Sequence, residues 1–251
     1  MRHCTVLVCL SFILGLGCSS VSKERQERAA LHMQIGTGYL SQGQYPMAMS
    51  ELLHAEQLDP SSPYIQNNLG IAFFVRGRLK QAEEKFRRAV RLEPRFSDAK
   101  NNLARVLVDQ KKFDEAIKLL HEVEGDLTYT FPEKTFSNLG MVYFERGSYQ
   151  KAEGYLARSM QLRRESCTTA HYYGRTLQEL KRVGEAAQML DQAIEYCRTT
   201  KFEDPLYFSA MSYFSLGEKE KTRARLEELL KDYPKSKYVA KAKGMLELLE
   251  Q

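Results

Sequence analysis

The 251-residue sequence is poor in the residues that build metal and catalytic sites. Its five His are scattered, and no two of them are separated by four residues as in a helical metal site. Gly38 and Gly43 have the spacing of a phosphate-binding loop, but Gln44 stands where that loop needs Lys. His171 near Cys167 could suggest a thiol nucleophile, although a disulfide at that cysteine is the preferred interpretation. We therefore predict a non-enzymatic protein with no metal and no cofactor.

The chain also lacks a strong excess of either charge. It carries 37 Lys and Arg against 32 Asp and Glu, a net charge of +5 that is too small to indicate nucleic-acid binding. A local basic cluster has Glu83, Glu84 and Glu93 as neighbours, which favours a solvated outer face. Acidic lipid headgroups or an acidic partner loop are the alternative ligands. The cluster consists of Arg76, Arg78, Arg87, Arg88, Arg91 and Arg95.

No apolar run is long enough to span a membrane, which needs about 20 residues. The run from Val6 to Leu16 follows a positive charge and precedes Gly17 and Cys18, the layout of a secretory signal. A small residue directly before Cys resembles a bacterial lipobox, although Gly15 replaces the usual Leu, so simple secretion or a buried thiol stays open. We expect a signal peptide over 1–17, a lipid on Cys18, and a tether over 18–28.

In such lipoproteins Ser19, rather than Asp, after the acylated cysteine implies sorting to the outer membrane. Several acyl chains anchor a protein stably, whereas one chain does not. The expected location is therefore the periplasmic face of the outer membrane of a bacterium, with contact to the membrane through the N-terminal lipid.

Internal repetition predicts the fold. Aligning "IGTGYLSQGQYPMAMSELLHAEQLDP" with "LGIAFFVRGRLKQAEEKFRRAVRLEP" reveals a period of 34 residues that resembles the tetratricopeptide repeat, a helix hairpin that stacks into a superhelix. The prediction is an all-α superhelix of six hairpins over 29–236, followed by a capping helix over 237–251. The repeats fall at 29–62, 63–96, 97–130, 133–166, 167–200 and 203–236.

Small residues at the eighth position of every repeat support this register, because the two helices of a hairpin cross closely there. That position holds Gly36, Gly70, Ala104, Gly140, Gly174 and Ala210.

Cysteine counting predicts one disulfide. Cleavage would remove Cys4 and Cys9 and acylation would use Cys18, which leaves Cys167 and Cys197 in an oxidising compartment. These two cysteines occupy the first and thirty-first positions of one hairpin, near the same open end. We therefore predict that they are bonded.

The first helix of each hairpin should line a groove that binds a protein partner. Apolar residues at the ninth and twelfth positions suggest a stripe for an amphipathic helix or an apolar strand, and Asn at the sixth position can bond an extended backbone. The alternative is that the superhelix buries the apolar side chains between repeats. The predicted groove residues are Leu40, Asn68, Ile71, Phe74, Asn102, Val108, Asn138, Met141, Phe144, Met211 and Phe214.

Beyond the generic repeat, the segments "GYLSQGQYPMAMSELLHAEQLDPSSP" and "YTFPEKTFSNLG" resemble type IV pilus biogenesis lipoproteins of the PilF/PilW kind. The resemblance implies a six-repeat scaffold without enzymatic activity that helps to localise or assemble the secretin pore, with a secretin subunit as partner. We expect the protein to be a monomer. Three alternatives stay open: an outer-membrane protein assembly lipoprotein, an adaptor for cell-wall hydrolases, and an enzyme or regulator acting on the cell wall.

Overall fold

A computed structural model describes residues 22–200 and 202–250. Within these ranges the chain forms 13 α-helices and no strand, so the all-α prediction is confirmed. The predicted signal peptide and the predicted acylation site Cys18 lie outside the described residues. Among the described helices, none has the combined length and apolar character that crossing a membrane requires. The helices are α1 Lys23–Ser41, α2 Tyr45–Leu58, α3 Pro63–Val75, α4 Leu79–Leu92, α5 Ser97–Asp109, α6 Phe113–Glu124, α7 Pro132–Glu145, α8 Tyr149–Leu162, α9 Cys167–Glu179, α10 Val183–Cys197, α11 Asp204–Ser215, α12 Lys219–Asp232 and α13 Val239–Leu249.

The chain divides into two compact units, 1–60 and 61–251. In the described part of the first unit, α1 and α2 pack as one hairpin around Ala48, Leu52 and Ala55, which are fully buried. Helix α1 begins at Lys23, because the Ser22 side chain accepts a hydrogen bond from the Arg25 backbone N–H. Residues 23–28, which the sequence assigned to the tether, are therefore helical.

The second unit stacks five hairpins, α3 to α12, and ends with α13. The turn between the two helices of each hairpin contains a residue with a positive φ, which is the fifteenth residue of the repeat. Gly77, Gly147 and Gly217 supply it at φ of 70 to 80°, whereas Lys111 and Lys181 adopt it at 61 and 64°. A side chain in this region is strained by about 1–2 kcal/mol, so two turns form without the residue that favours them.

Close helix crossing explains the small eighth position. A Cβ on Gly70 would lie 2.5 Å from a ring carbon of Phe86, and one on Gly174 would lie 2.5 Å from Leu190 Cγ. Phe86 and Leu190 are almost fully buried. The hairpins therefore close only where the first helix has little or no side chain at this point.

Helix α13 covers the last hairpin. Its Ala242 and Leu249 are buried, and Tyr238 just before it stacks on Tyr207 of α11 with ring centroids 4.1 Å apart. The helix thus shields the apolar core that α11 and α12 would otherwise expose, as a terminal cap of a repeat array does.

Candidate functional site: a polar cavity on the inner face

The first helices of successive repeats in the second unit contact one another, in the order α3, α5, α7, α9 and α11. They therefore form the inner face of the stack. A cavity of about 500 Å³ opens on this face between α3 and the start of α9. Its walls are made by Asn67, Ile71, Asp98, Asn101, Asn102, Arg105, Glu133, Lys134, Ser137, Asn138, Ser159, Arg163, Ser166, Thr168 and Thr169.

Four Asn side chains, which we call the asparagine ladder, connect three repeats across this cavity: Asn67, Asn101, Asn102 and Asn138. Asn102 Nδ2 donates to Asn67 Oδ1 at 2.9 Å, and Asn138 Nδ2 donates to Asn101 Oδ1 at 3.2 Å. Asn67 and Asn101 are buried, and Asn101 Nδ2 also donates to Thr135 Oγ1 at 3.1 Å. These bonds fix the orientation of the amides, which can both donate and accept.

The sequence pattern predicted part of this ladder. It placed Asn102 and Asn138 in the groove at the sixth position, and both line the cavity, whereas Asn68 of the same set does not. It missed Asn67 and Asn101 at the fifth position. Their signal was present, since "NNL" recurs after one period at 67–69 and 101–103.

Charges of both signs surround the ladder. Asp98 accepts a hydrogen bond of 2.7 Å from the Tyr129 hydroxyl, and Lys134 Nζ lies 3.5 Å from the same carboxylate oxygen. Burial raises the pKa of Tyr129, and the neighbouring Asp98 raises it further. Arg105, which also lines the cavity, keeps 35% of its side chain exposed and lies 4.0 Å from Asp109. The lining of the cavity therefore carries charged groups of both signs beside the amides.

The expected apolar stripe is not accessible in the middle repeats. Val108, Met141 and Phe144 are only 5, 2 and 8% exposed. Neighbouring first helices approach so closely that these side chains pack between repeats, as the Phe144 ring does against Tyr172 at 5.4 Å. This corrects the prediction that they face the groove.

Other members of the predicted stripe are more accessible. Ile71, Phe74 and Met211 are partly buried in the second unit, and Leu40 is partly buried in the first. Phe214 is 41% exposed. The accessible apolar surface is thus confined to particular repeats, and the middle of the inner face is polar.

Cys167 and Cys197, the first residue of α9 and the last of α10, form a disulfide with Cα atoms 4.9 Å apart. The thiol that a nucleophilic role would require is therefore consumed. His171 is 3% exposed and surrounded by aromatic rings, including Phe202 at 4.9 Å between centroids. Burial lowers the pKa of His171 to about 3, so it is neutral at physiological pH. In the described ranges no three His, Cys, Asp or Glu side chains converge as metal ligands would.

Family models for the tetratricopeptide repeat match residues 36–74, 67–126, 133–199 and 206–236. Together with the stacked hairpins, these matches define the class: the chain belongs to the tetratricopeptide-repeat family. Within that class it is homologous to the type IV pilus assembly protein PilF of Pseudomonas aeruginosa, with 29% identity over 177 residues, 66% of this chain and 70% of PilF. The predicted resemblance is thereby confirmed at the level of the repeat fold and homology to PilF.

Solved structures of other proteins show the same repeat fold. The structure of P. aeruginosa PilF matches with a TM-score of 0.70 and 26% identity, covering 85% of this chain and 96% of PilF. PilW, a type IV pilus biogenesis factor, matches with a TM-score of 0.74 and 19% identity over 85% of this chain and 97% of PilW. The Cut9–Hcn1 complex matches with a TM-score of 0.80 and 18% identity, covering 90% of this chain and 43% of the matched chain. At such identities the last two likenesses show the fold alone.

Proposed function

We propose that this protein is a non-enzymatic scaffold of type IV pilus biogenesis that binds a segment of a partner protein in the polar cavity. The homology to PilF supports the pathway, and the asparagine ladder carries the binding hypothesis. The most suitable partner is a subunit of the outer-membrane secretin, whose localisation or assembly the scaffold would assist.

The chemistry of the cavity favours an extended, polar segment. An extended backbone presents N–H and C=O groups at regular intervals, and oriented Asn amides can pair with both. Amides already fixed by hydrogen bonds lose little conformational entropy on binding, which favours affinity. Asp98, which contacts Lys134, and Arg105, which lies 4.0 Å from Asp109, are the charged groups that the side chains of the segment would meet. This ligand differs from the apolar helix or strand that the sequence suggested.

The proposal includes a lipid anchor at Cys18 and a position on the periplasmic face of the outer membrane. Replacement Cys18→Ala should release the protein into the soluble periplasmic fraction. Unchanged outer-membrane fractionation together with an unmodified N-terminus by mass spectrometry would rule the anchor out.

The binding hypothesis is tested with the purified periplasmic part of the secretin subunit and the mature chain. We expect Asn102→Ala and Arg105→Ala each to weaken binding about 5- to 30-fold, because each removes one or two hydrogen bonds to the partner. Lys118→Ala, an exposed residue of α6, is the matched control and should bind as the wild type does. Melting temperatures within a few degrees of wild type would show that the variants are folded.

Phe214→Ser and Phe144→Ser compare the stability effects of an accessible and a buried aromatic side chain at the twelfth position of a repeat. Phe214 is 41% exposed, so its loss should destabilise the protein less than the loss of Phe144, which is 8% exposed and should cost about 3 kcal/mol. Full secretin binding by both the Asn102→Ala and the Arg105→Ala variants would refute the cavity as the binding site. Binding to a subunit of the outer-membrane protein assembly machinery instead of the secretin would refute the proposed pathway.

A further inference from the structure

Arg175 of α9 is a cation of the inner face that lacks a carboxylate partner. Among the residues that the structure describes, no Asp or Glu oxygen lies within 4.0 Å of its side-chain nitrogens. The other cations on the first helices α3 to α11 each have such a partner, with nitrogen to oxygen distances of 2.8 to 4.0 Å. They are Lys100, Arg105 and Lys134. A partly buried charge without a counter-charge favours a ligand of the opposite sign.

Two aromatic rings hold the Arg175 side chain in place. Its Cζ atom lies 3.7 Å from the centroid of the Phe208 ring and 5.1 Å from that of Phe144. Phe144 belongs to α7 and Phe208 to α11, so the guanidinium lies between three neighbouring first helices. Both rings are packed, since Phe144 is 8% exposed and Phe208 contacts Tyr238 with 6.0 Å between centroids. A guanidinium held over ring faces keeps the N–H donors of its edge for other partners and loses little entropy on binding.

Arg105 has a similar environment two repeats earlier. Both arginines are the ninth residue of their repeat, and Arg105 Cζ lies 6.0 Å from the centroid of the Phe74 ring. Arg105 Nε is buried without a hydrogen-bond acceptor in the described part of the chain, because Asp109 Oδ1, at 4.0 Å, is beyond hydrogen-bond distance. A buried donor without an acceptor is unfavourable. The inner face therefore has two arginines whose donors suit an oxygen supplied by a ligand.

Arg175 lies within reach of a segment bound in the polar cavity. Thr168 of α9 lines the cavity, and Arg175 follows about two turns later on the same face of that helix, about 10 Å away along its axis. An extended chain covers about 10 Å in about three residues. A segment that leaves the cavity along α9 thus reaches Arg175 about three residues further on.

We propose that Arg175 is an anion-binding residue that pairs with an Asp or Glu side chain of the partner segment, about three residues beyond the part that occupies the polar cavity. This inference rests on the proposed binding of an extended segment in that cavity. Arginine can bind a carboxylate through two parallel N–H donors, which gives the pair a defined geometry. The amides of the cavity suit a peptide backbone, so the carboxylate is that of a side chain on the same peptide.

The experiment selects short random peptides, displayed on phage, for binding to the full mature chain. We expect the selected peptides to share an Asp or Glu at a fixed position, and its replacement by Asn or Gln should weaken binding about tenfold or more. Arg175→Gln should weaken binding of the same peptides equally, and the two changes together should cost little more than either alone. Arg175→Lys, which keeps the charge without the paired donors, should retain part of the affinity. High salt should reduce all these losses.

Arg164→Gln is the matched control, because it removes one exposed positive charge just before α9 and should leave peptide binding unchanged. Melting temperatures show whether the variants are folded, and the replacement in the peptide needs no change in the protein at all. Selection of peptides without a shared acidic residue, selection of none, or equal affinity for peptides with and without the acidic residue would overturn the inference.

The secretin subunit is measured separately. Peptides that require Arg175, together with a secretin subunit that does not bind, would overturn the proposed partner and leave the anion-binding role of Arg175 standing. Secretin binding that is weakened by Asn102→Ala but unchanged by Arg175→Gln would overturn the role of Arg175 and leave the cavity as the binding site.

Discussion

Two glycines of one hairpin should respond in opposite ways to the same substitution. Gly140 lies in α7 where that helix crosses α8, and an added Cβ would lie 2.6 Å from Leu156 Cδ2 and 3.2 Å from the Leu156 backbone nitrogen. Gly154 lies in the interior of α8, and a Cβ there would meet nothing within 4 Å. Both are helical, so Gly→Ala changes helix propensity alike at the two sites.

The magnitudes follow from two opposing terms. Ala is favoured over Gly in a helix interior by about 1 kcal/mol, which is the whole expected effect at Gly154. At Gly140 the gain is opposed by overpacking against Leu156, which is fully buried and cannot swing away, and such strain costs typically 1–3 kcal/mol or more. With strain at the upper end of that range, Gly140→Ala should destabilise by about 2 kcal/mol and Gly154→Ala should stabilise by up to about 1 kcal/mol.

Thermal unfolding followed by far-UV circular dichroism measures both variants. For a unit of this size, about 1 kcal/mol shifts the melting temperature by roughly 2–4 °C. We therefore expect a fall of about 4–8 °C for Gly140→Ala and a rise of about 2–4 °C for Gly154→Ala. A Gly140→Ala protein as stable as Gly154→Ala would refute the close crossing on which the repeat register depends.

Two further predictions concern the fifth repeat. Reducing the disulfide between Cys167 and Cys197, or replacing both cysteines by Ser, should lower the free energy of unfolding by about 3–4 kcal/mol, the value of the chain-entropy model for a loop of this length. Urea unfolding measures this change. Two free thiols on alkylation of the oxidised protein would contradict the bond. The pKa of His171 is about 3 in the folded protein and about 6.5 in the unfolded chain. Below pH 6.5 the unfolded chain therefore binds a proton that the folded chain does not. The free energy of unfolding should thus decrease as the pH is lowered, by about 2–3 kcal/mol at about pH 4.5. The His171→Leu variant should lack this loss, and identical acid profiles of the two proteins would contradict the burial argument.

Sequence periodicity was sufficient for the fold because a tetratricopeptide repeat is specified locally. Small residues such as Gly70 and Gly140 recur where helices must cross, and each hairpin needs only its neighbours to bury its core. The pairing of Cys167 with Cys197 was predictable because cysteine counting left these two and the repeat register brings both to one end of a hairpin.

The surface of the inner face was less predictable. Met141 and Phe144 occupy positions that a single helix presents to the groove, yet they are buried. How far a side chain at such a position reaches solvent depends on the distance between the first helices of neighbouring repeats, and a one-repeat pattern holds no information on that distance.

By itself the sequence determined the class of fold, the number of hairpins and the positions of close helix contact, because these depend on spacing along the chain. Only the tertiary structure decided that the inner face is polar at its centre, where the asparagine ladder joins Asn67 to Asn102 and Asn101 to Asn138. It also decided that the Arg175 side chain lies between two aromatic rings. Both features arise between repeats, where the stacking of one hairpin on the next, and not the pattern within a hairpin, sets which side chains meet and which face water.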